Sequence, residues 1–344
     1  MLERSQTVPL DLMQFVDKLQ DKKIMIIGDM VADVYLEGQI SRISREAPVL
    51  ILEHAGETVV PGGAANAVHN AATLSGQAYA VGVIGDDSTG QQLIQVLNNK
   101  QVNTQGLIVD TSRPTITKTR VMAGGQATVR QQLVRIDRES KQALDSDVEQ
   151  SLLDYIKHCI RTMDAVVMSD YGGFTVSPAV KQAVIAACNK AGIPSIVDSR
   201  YDAMAYHGIR IVKQNESEAA AATGIAICDQ NTLLQAGRAM LGRLEAEAVL
   251  ITQGPEGMTL FERSGAVSHI PVSNKSEVYD VTGAGDTVVV TMMLALAAGA
   301  SYYEAACLAN LTAGVVVRKP GTATATPDEL KQVLGEHNHD YCCP

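Results

Sequence analysis

The sequence predicts an α/β fold: a mostly parallel sheet covered by helices, with a small β-sheet lid over the strand ends. Three observations predict it. Short apolar, β-rich runs alternate with helical patterns along most of the 344 residues, the order expected when crossovers between parallel strands are helices. Aromatic residues make up only 4% of the chain and tryptophan is absent, so the core is aliphatic, which suits strands buried on both faces. Two segments, 33–60 and about 107–137, break the alternation with extended stretches that have no helix between them.

Taken in order, the strand candidates are "KIMIIGD" (23–29), "AYAVGVIGD" (78–86), "AVVMSDY" (165–171), "PSIVDS" (194–199), "IRIVKQN" (209–215) and "AVLITQG" (248–254). Helical patterns lie near 62–75, 89–100, 145–162, 177–191, 232–242, 284–299 and 301–317. Within the second irregular segment, "TITKTRVMAGGQATVRQQLVRID" (115–137) reads as a hairpin with "AGGQ" (123–126) as its turn. Lys118 and Arg120 share one face of it. Exposed strand edges seek partners, so a homodimer through the lid is expected. The expected organisation is one domain over 1–335, its lid formed by 33–60 and 107–137, and a tail at 336–344.

The formal net charge of −10 argues against a sequence-independent nucleic-acid binder or an acidic-membrane binder. It leaves room for an anionic small molecule held by a few local cations. Six cysteines occur without any CxxC spacing, so no zinc site is expected. Cys159, Cys188, Cys228 and Cys307 stand in apolar contexts and read as reduced core residues, whereas Cys342 and Cys343 read as an exposed tail. No basic flank precedes an apolar run at the start, and no apolar run reaches bilayer length. A soluble cytoplasmic protein is the expectation.

Each strand candidate ends in a polar residue or glycine: Asp29, Asp86, Asp170, Asp198, Asn215, Gly254. Ligands of open parallel sheets bind outside the carboxyl ends of the strands, so this rim is where chemistry is expected. The most informative stretch is "TGAGDT" (282–287) at the head of a long apolar helix. Gly283, Ala284 and Gly285 form a first turn whose N–H groups have no partner inside the helix, and the helix dipole adds positive potential there. Small side chains let a phosphate approach. A carboxylate beside such a cradle, Asp286, can take the proton of a hydroxyl while the amides neutralise a phosphoryl group in transit. The Walker pattern GxxxxGK[ST] and a GxGxxG after the first strand are both absent, so neither a P-loop enzyme nor a dinucleotide dehydrogenase is supported.

The whole "DVTGAGDT" resembles the C-terminal signature of the ribokinase-like (PfkB-type) sugar kinases, and "PGGAANAVHNAATLSG" (61–76) looks like their N-terminal signature. The resemblance covers nearly the whole chain. It implies a three-layer α/β/α kinase domain with a β-lid and a phosphotransferase acting on an alcohol group, with ATP and Mg²⁺. It assigns Asp286 as catalytic base and Gly283, Ala284 and Gly285 as anion hole. Asp29, Asp33, Gly62, Gly63 and Asn66 would bind the sugar. "NESE" (215–218) matches an Asn-x-x-Glu element, so Asn215 and Glu218 would organise ATP, with Glu218 reaching Mg²⁺ through water. Thr252, Gly254 and Gly257 would lie along the nucleotide and Asn310 beside the adenine. Asp280 and Thr282 match positions near a monovalent-cation site, taken as K⁺.

Within that family, "SRISREAPV" (41–49), "VYDVTGAGDTVV" and "KPGTATATPDEL" look like the D-glycero-D-manno-heptose 7-phosphate kinases, including the kinase half of bifunctional ADP-heptose synthases. The implied reaction phosphorylates the anomeric C1 hydroxyl, giving the 1,7-bisphosphate, with Arg42, Arg45, Arg120, Arg130 and Arg135 available to the distal phosphate. Three stretches depart from the subgroup. "SDYGGF" (169–174) lacks its usual lysine, and "VDSRYD" (197–202) stands in place of Asp-Pro-Lys. "ITQG" carries glutamine where arginine is common. After about residue 335 only "EHNHDYCCP" remains, so a separate protein is expected for adenylyl transfer. The alternatives are a PfkB-type kinase for fructose, ribose, fructose 6-phosphate or a nucleoside, and a non-catalytic sensor of nucleotide or sugar.

Overall fold

Alternation along β1 (Lys23–Gly28) explains the architecture. Ile24 and Ile26 pack into one apolar core, and Met25 and Ile27 into another. Successive strand side chains point to opposite faces, so a strand apolar on both sides needs cover on both sides. The computed structural model describes residues 11–74, 76–125, 128–272 and 278–337.

A short helix, α1 (Met13–Val16), precedes β1; then come β2 (Met30–Ile43), β3 (Leu50–Gly63), α2 (Ala64–Thr73), β4 (Gln77–Gly85), α3 (Ser88–Asn98), β5 (Asn103–Asp110), β6 (Ile116–Gly125) and β7 (Thr128–Arg138). The second half runs α4 (Ser146–Cys159), β8 (Ala165–Asp170), α5 (Pro178–Ala191), β9 (Ser195–Ser199), β10 (Ile211–Asn215), α6 (Glu216–Thr223) and α7 (Gln230–Leu244). It ends with β11 (Ala248–Thr252), β12 (Met258–Glu262), β13 (Val267–Ile270), α8 (Ala284–Ala297), α9 (Tyr302–Val316) and α10 (Pro327–His337).

Among the described residues the large sheet has the order β13-β12-β11-β10-β9-β8-β1-β4-β5. It is parallel from β11 to β5, and β12 and β13 add an antiparallel edge. Helices α2, α8 and α9 cover one face and α4, α5 and α7 the other, giving the expected three layers. The small sheet, β3-β2-β6-β7, is the lid. A single residue, Asp29, separates β1 from β2, so the lid grows directly out of the central strand.

Several expectations are corrected. Residues 103–110 belong to the large sheet as its edge strand, paired in parallel with β4, and the lid resumes only at Ile116. The half-buried pattern of "NTQGLIVD" suits an edge strand as well as a lid strand, so the sequence alone could not separate them. Ala123, Gly124 and Gly125 belong to β6, so the hairpin turn falls after them; Gln126 lies outside the described residues. Cys188 and Cys307 are buried as expected and Cys159 is half-buried, but Cys228 is exposed; Cys342 and Cys343 lie outside the described residues. No helix among the described residues is long and apolar enough to cross a membrane.

Candidate active site

Helix α8 opens without a side-chain cap. Gly283 holds the N-cap position at φ +81°, a left-handed conformation that strains any residue with a β-carbon. Among the described residues the N–H groups of Gly285 and Asp286 have no hydrogen-bond partner, whereas Ala284 N–H already donates to the Val281 carbonyl at 3.2 Å. The N–H of Gly283 is likewise without a partner among the described residues, so the open donors at this helix start are those of Gly283, Gly285 and Asp286, and only the Ala284 amide is already taken. A β-carbon at position 285 would stand 2.8 Å from the Lys213 ammonium, so glycine there allows a cation to approach the helix end.

That cation was not among the residues expected from sequence. Lys213 sits in β10, 5% exposed, with Nζ 2.8 Å from Asp198 Oδ2. Burial alone would push Lys213 toward the neutral amine. The carboxylates of Asp198, Glu218 and Asp286 outweigh it and raise its pKa. A cation held against a helix N-terminus faces a positive dipole end, so positive potential is concentrated at the place where an anion would enter. The signal in the sequence was a single lysine inside the apolar run "IRIVKQN".

Asp286 is 6% exposed. Asn66 Nδ2 donates to one of its oxygens at 2.7 Å and the Tyr171 hydroxyl to the other at 3.0 Å. Burial raises its pKa to about 6, and the two donors oppose that rise. Asn66 is itself fixed: Asn70 Nδ2 donates to its carbonyl at 2.9 Å, and the Thr287 hydroxyl donates to Asn70 Oδ1 at 2.7 Å. This polar chain joins α2 to α8 and brings the two sequence signatures together. A cavity of about 270 Å³ opens over them, lined by Asp170, Tyr171, Asp198, Arg200, Lys213, Asn215, Glu218, Gly283, Gly285 and Asp286.

Other expected residues do different work. Asp29 is fully buried and accepts the N–H groups of Tyr171, Gly173 and Thr175 at 2.9–3.2 Å, so its carboxylate braces the 171–175 loop. Asp33 pairs with Arg120 at 2.7 Å, and Gly62 leaves room for the Asp33 carboxylate, which lies 2.7 Å from where a β-carbon would sit. Gly63 is the uncapped N-cap of α2 at φ +51°. Lys118 lies 5.4 Å over the Tyr171 ring, on the Arg120 face of β6. Arg42 and Arg45 are exposed, Arg135 pairs with Asp137 at 2.8 Å, and none of the three lines the cavity. The Arg130 side chain lies outside the described residues.

Asn215 and Glu218 form a reciprocal capping box on α6: Asn215 Oδ1 accepts Glu218 N–H at 2.8 Å and Glu218 Oε2 accepts Asn215 N–H at 2.9 Å. Both still line the cavity. Thr252 donates to the Gln214 carbonyl, and Gln253 is held by Glu216 and Thr259. Gly254 and Gly257 adopt φ +55° and +91° in the turn after β11. The Asn310 amide donates to the Pro271 carbonyl at 2.7 Å, which ties α9 to the segment after β13. Asp280 accepts N–H groups from Thr282 and Gly321. Among the described residues no group of three or more His, Cys, Asp or Glu side chains is arranged to hold a metal ion.

A parallel sheet whose rim carries an uncapped helix N-terminus, a buried lysine and a buried carboxylate suits a phosphotransferase acting on a hydroxyl group. The description "pfkB family carbohydrate kinase" matches residues 21–329, and the chain belongs to that family. Curated relatives named bifunctional protein HldE are similar over almost the whole chain. The one from Syntrophotalea carbinolica is 38% identical over 95% of this chain and 66% of its own length; the one from Caulobacter sp. is 42% identical over 91% and 63%. The chain thus spans just under two thirds of the length of these relatives. Among solved structures, Escherichia coli phosphofructokinase-2 with substrates and products superposes with TM-score 0.72 at 20% identity, covering 92% of this chain and 99% of that one. Arabidopsis thaliana ribokinase with ribose and ATP gives 0.69 at 20% identity, covering 91% and 98%. These two show the ribokinase-like fold.

Proposed function

We propose that this carbohydrate kinase transfers the γ-phosphoryl group of ATP to the anomeric C1 hydroxyl of D-glycero-D-manno-heptose 7-phosphate. The observation that carries the reading is the uncapped N-terminus of α8, with the Asp286 carboxylate on one side and the Lys213 ammonium on the other. The acceptor O–H gives its proton to Asp286 as its oxygen bonds to the γ-phosphorus. The bond from that phosphorus to the β–γ bridging oxygen breaks, and ADP leaves. The Gly285 and Asp286 amides and Lys213 neutralise the charge in transit; positioning and electrostatics supply most of the catalysis. Glu218, whose second oxygen is not used by the capping box, would hold Mg²⁺ through water, and the ion would supply charge neutralisation for the nucleotide phosphates. Asp280 and Thr282 would hold potassium, which would supply positive charge near the start of α8.

The heptose assignment is supported by the 38–42% identity to the HldE relatives and by the stretches quoted above. Lys118, over the Tyr171 ring that lines the cavity, and Arg120 on the same face of β6 would meet the distal phosphate. The lid also supports self-association: Ile40, Ile43, Leu50, Val134 and Ile136 are 44–66% exposed on it, and covering such apolar strands favours a homodimer.

The test is ADP release with Mg-ATP across heptose 7-phosphate, fructose 6-phosphate, fructose, ribose and adenosine. Strong preference for heptose 7-phosphate is expected. Preference for an unphosphorylated sugar would keep the kinase chemistry and discard the heptose assignment. Binding without any product would discard catalysis.

A further inference from the structure

We propose that Tyr171 is the positioning residue that keeps the Asp286 carboxylate ionised, and that it links the base to the lid. This deepens the kinase reading and rests on it for the role of Asp286. Three contacts converge on Tyr171. Its hydroxyl donates to Asp286 Oδ1 at 3.0 Å. Its backbone N–H donates at 2.9 Å to Asp29, the residue between β1 and the first lid strand. Its ring lies 5.4 Å under the Lys118 ammonium of β6, a cation–π distance. One residue therefore touches the base and the lid with its side chain and the junction between the two sheets with its backbone.

The chemistry follows from the direction of the hydrogen bond. Tyr171 is half-buried, and desolvation of its phenol together with the neighbouring Asp286 carboxylate holds it well above its ordinary pKa, so it stays a donor across the working pH range. A donor to a carboxylate favours the charged form, against the burial that favours the neutral one. The other groups facing Asp286 are Asn66 from α2, Asp198 from β9 and Lys213 from β10. Asn66 supplies the second oxygen with its donor, Lys213 favours ionisation and Asp198 opposes it. Tyr171 is the hydroxyl donor in this set, and the removal of one oxygen atom tests it.

The experiment compares wild type, Tyr171→Phe and Asp286→Asn. The first readout needs no substrate: a ¹³C titration of aspartate carboxyls in the ligand-free protein. The resonance missing in Asp286→Asn identifies the base, and its midpoint should rise by about one pH unit in Tyr171→Phe. The second readout is the pH profile of kcat/KM. Its acid limb should move up by the same amount, so that the loss is about tenfold below the midpoint and small above pH 8. Thermal melts check that the variant is folded. An unmoved midpoint, or a loss of activity equal at all pH values, would overturn the proposal. A wild type without turnover on any acceptor, with the midpoint shifted as expected, would instead sink the kinase reading and leave the Tyr171–Asp286 coupling standing.

Discussion

Helices α6 and α8 start at the same rim and line the same cavity, yet they treat their first turns in opposite ways. Helix α6 caps itself: Asn215 and Glu218 each accept the other's backbone N–H. Helix α8 begins at a glycine with no side-chain cap, leaving the Gly285 and Asp286 amides unspent among the described residues. Helices α3, α5, α7 and α9 follow α6, with Asp87, Ser177, Asp229 and Ser301 accepting first-turn amides. Helix α2, which carries Asn66, follows α8 in lacking a side-chain cap. Capping is worth about 1 kcal/mol. A helix that forgoes it at a buried site keeps its donors for a ligand. Helix α4 also lacks a side-chain cap, at Asp145, yet stands away from the cavity, so a bare first turn is informative only where it lines the cavity, as at α8.

The largest expected effect is at Asp286. Asp286→Asn should lower turnover by about 10²–10⁴-fold, the range for losing a general base, with ADP release as the assay. It should also stabilise the fold at neutral pH. The folded-state pKa of about 6 lies above the reference 3.8, so the native state binds this proton more tightly than the unfolded chain. Ionisation therefore costs stability as pH rises through the window from 3.8 to about 6, by roughly 3 kcal/mol at most. The melting temperature of the variant should exceed wild type at pH 8 and match it below pH 4. Near-normal turnover, or a gain that ignores pH, would break the reading of α8 as the catalytic end.

Backbone strain gives a sharper comparison. Gly283 at φ +81° and Gly224 at φ +73° cap α8 at its start and α6 at its end. Alanine at either should cost about 1–2 kcal/mol for the left-handed backbone. Only at 283 does the new β-carbon also meet a functional neighbour, Asn66 Nδ2 at 2.6 Å; at 224 nothing lies within 4 Å. Both variants should melt lower. Only Gly283→Ala should lose turnover as well, by about 10–100-fold, since small displacements at a transfer centre are costly. Equal activity in the two would show that the open N-terminus is only a matter of folding.

Much of this arrangement could be read from the residue pattern. Alternating apolar runs revealed the parallel sheet, and "TGAGDT" marked the start of α8, where Gly283 takes the left-handed N-cap position. Three things were hidden. Asp29 and Asp33 read alike as sugar-binding acids, but which one a loop would claim depends on backbone N–H groups 142–146 residues away. Lys213 looked like a strand residue because its partner, Asp198, is brought beside it only by the β9–β10 register. Ala284 looked like part of the cradle until the turn directed its amide to Val281. Local patterns record periodicity and turn chemistry; they do not record which long-range partner takes a given polar group.

The smallest expected effect tests the capped helix. In Glu218→Gln an amide oxygen can still accept the Asn215 N–H that the carboxylate now accepts at 2.9 Å, so the capping box survives. Stability should change by less than about 0.5 kcal/mol, as for an ordinary surface substitution. What disappears is the negative charge facing the cavity beside Lys213. If Glu218 orders magnesium through water, the Mg²⁺ concentration giving half-maximal rate should rise several-fold, with little change at saturating metal. Glu218→Ala should add a loss of about 1 kcal/mol from the broken box. An unchanged magnesium requirement in Glu218→Gln would make Glu218 a cap alone, with Asn215–Glu218 as purely structural as the Ser301–Glu304 box on α9.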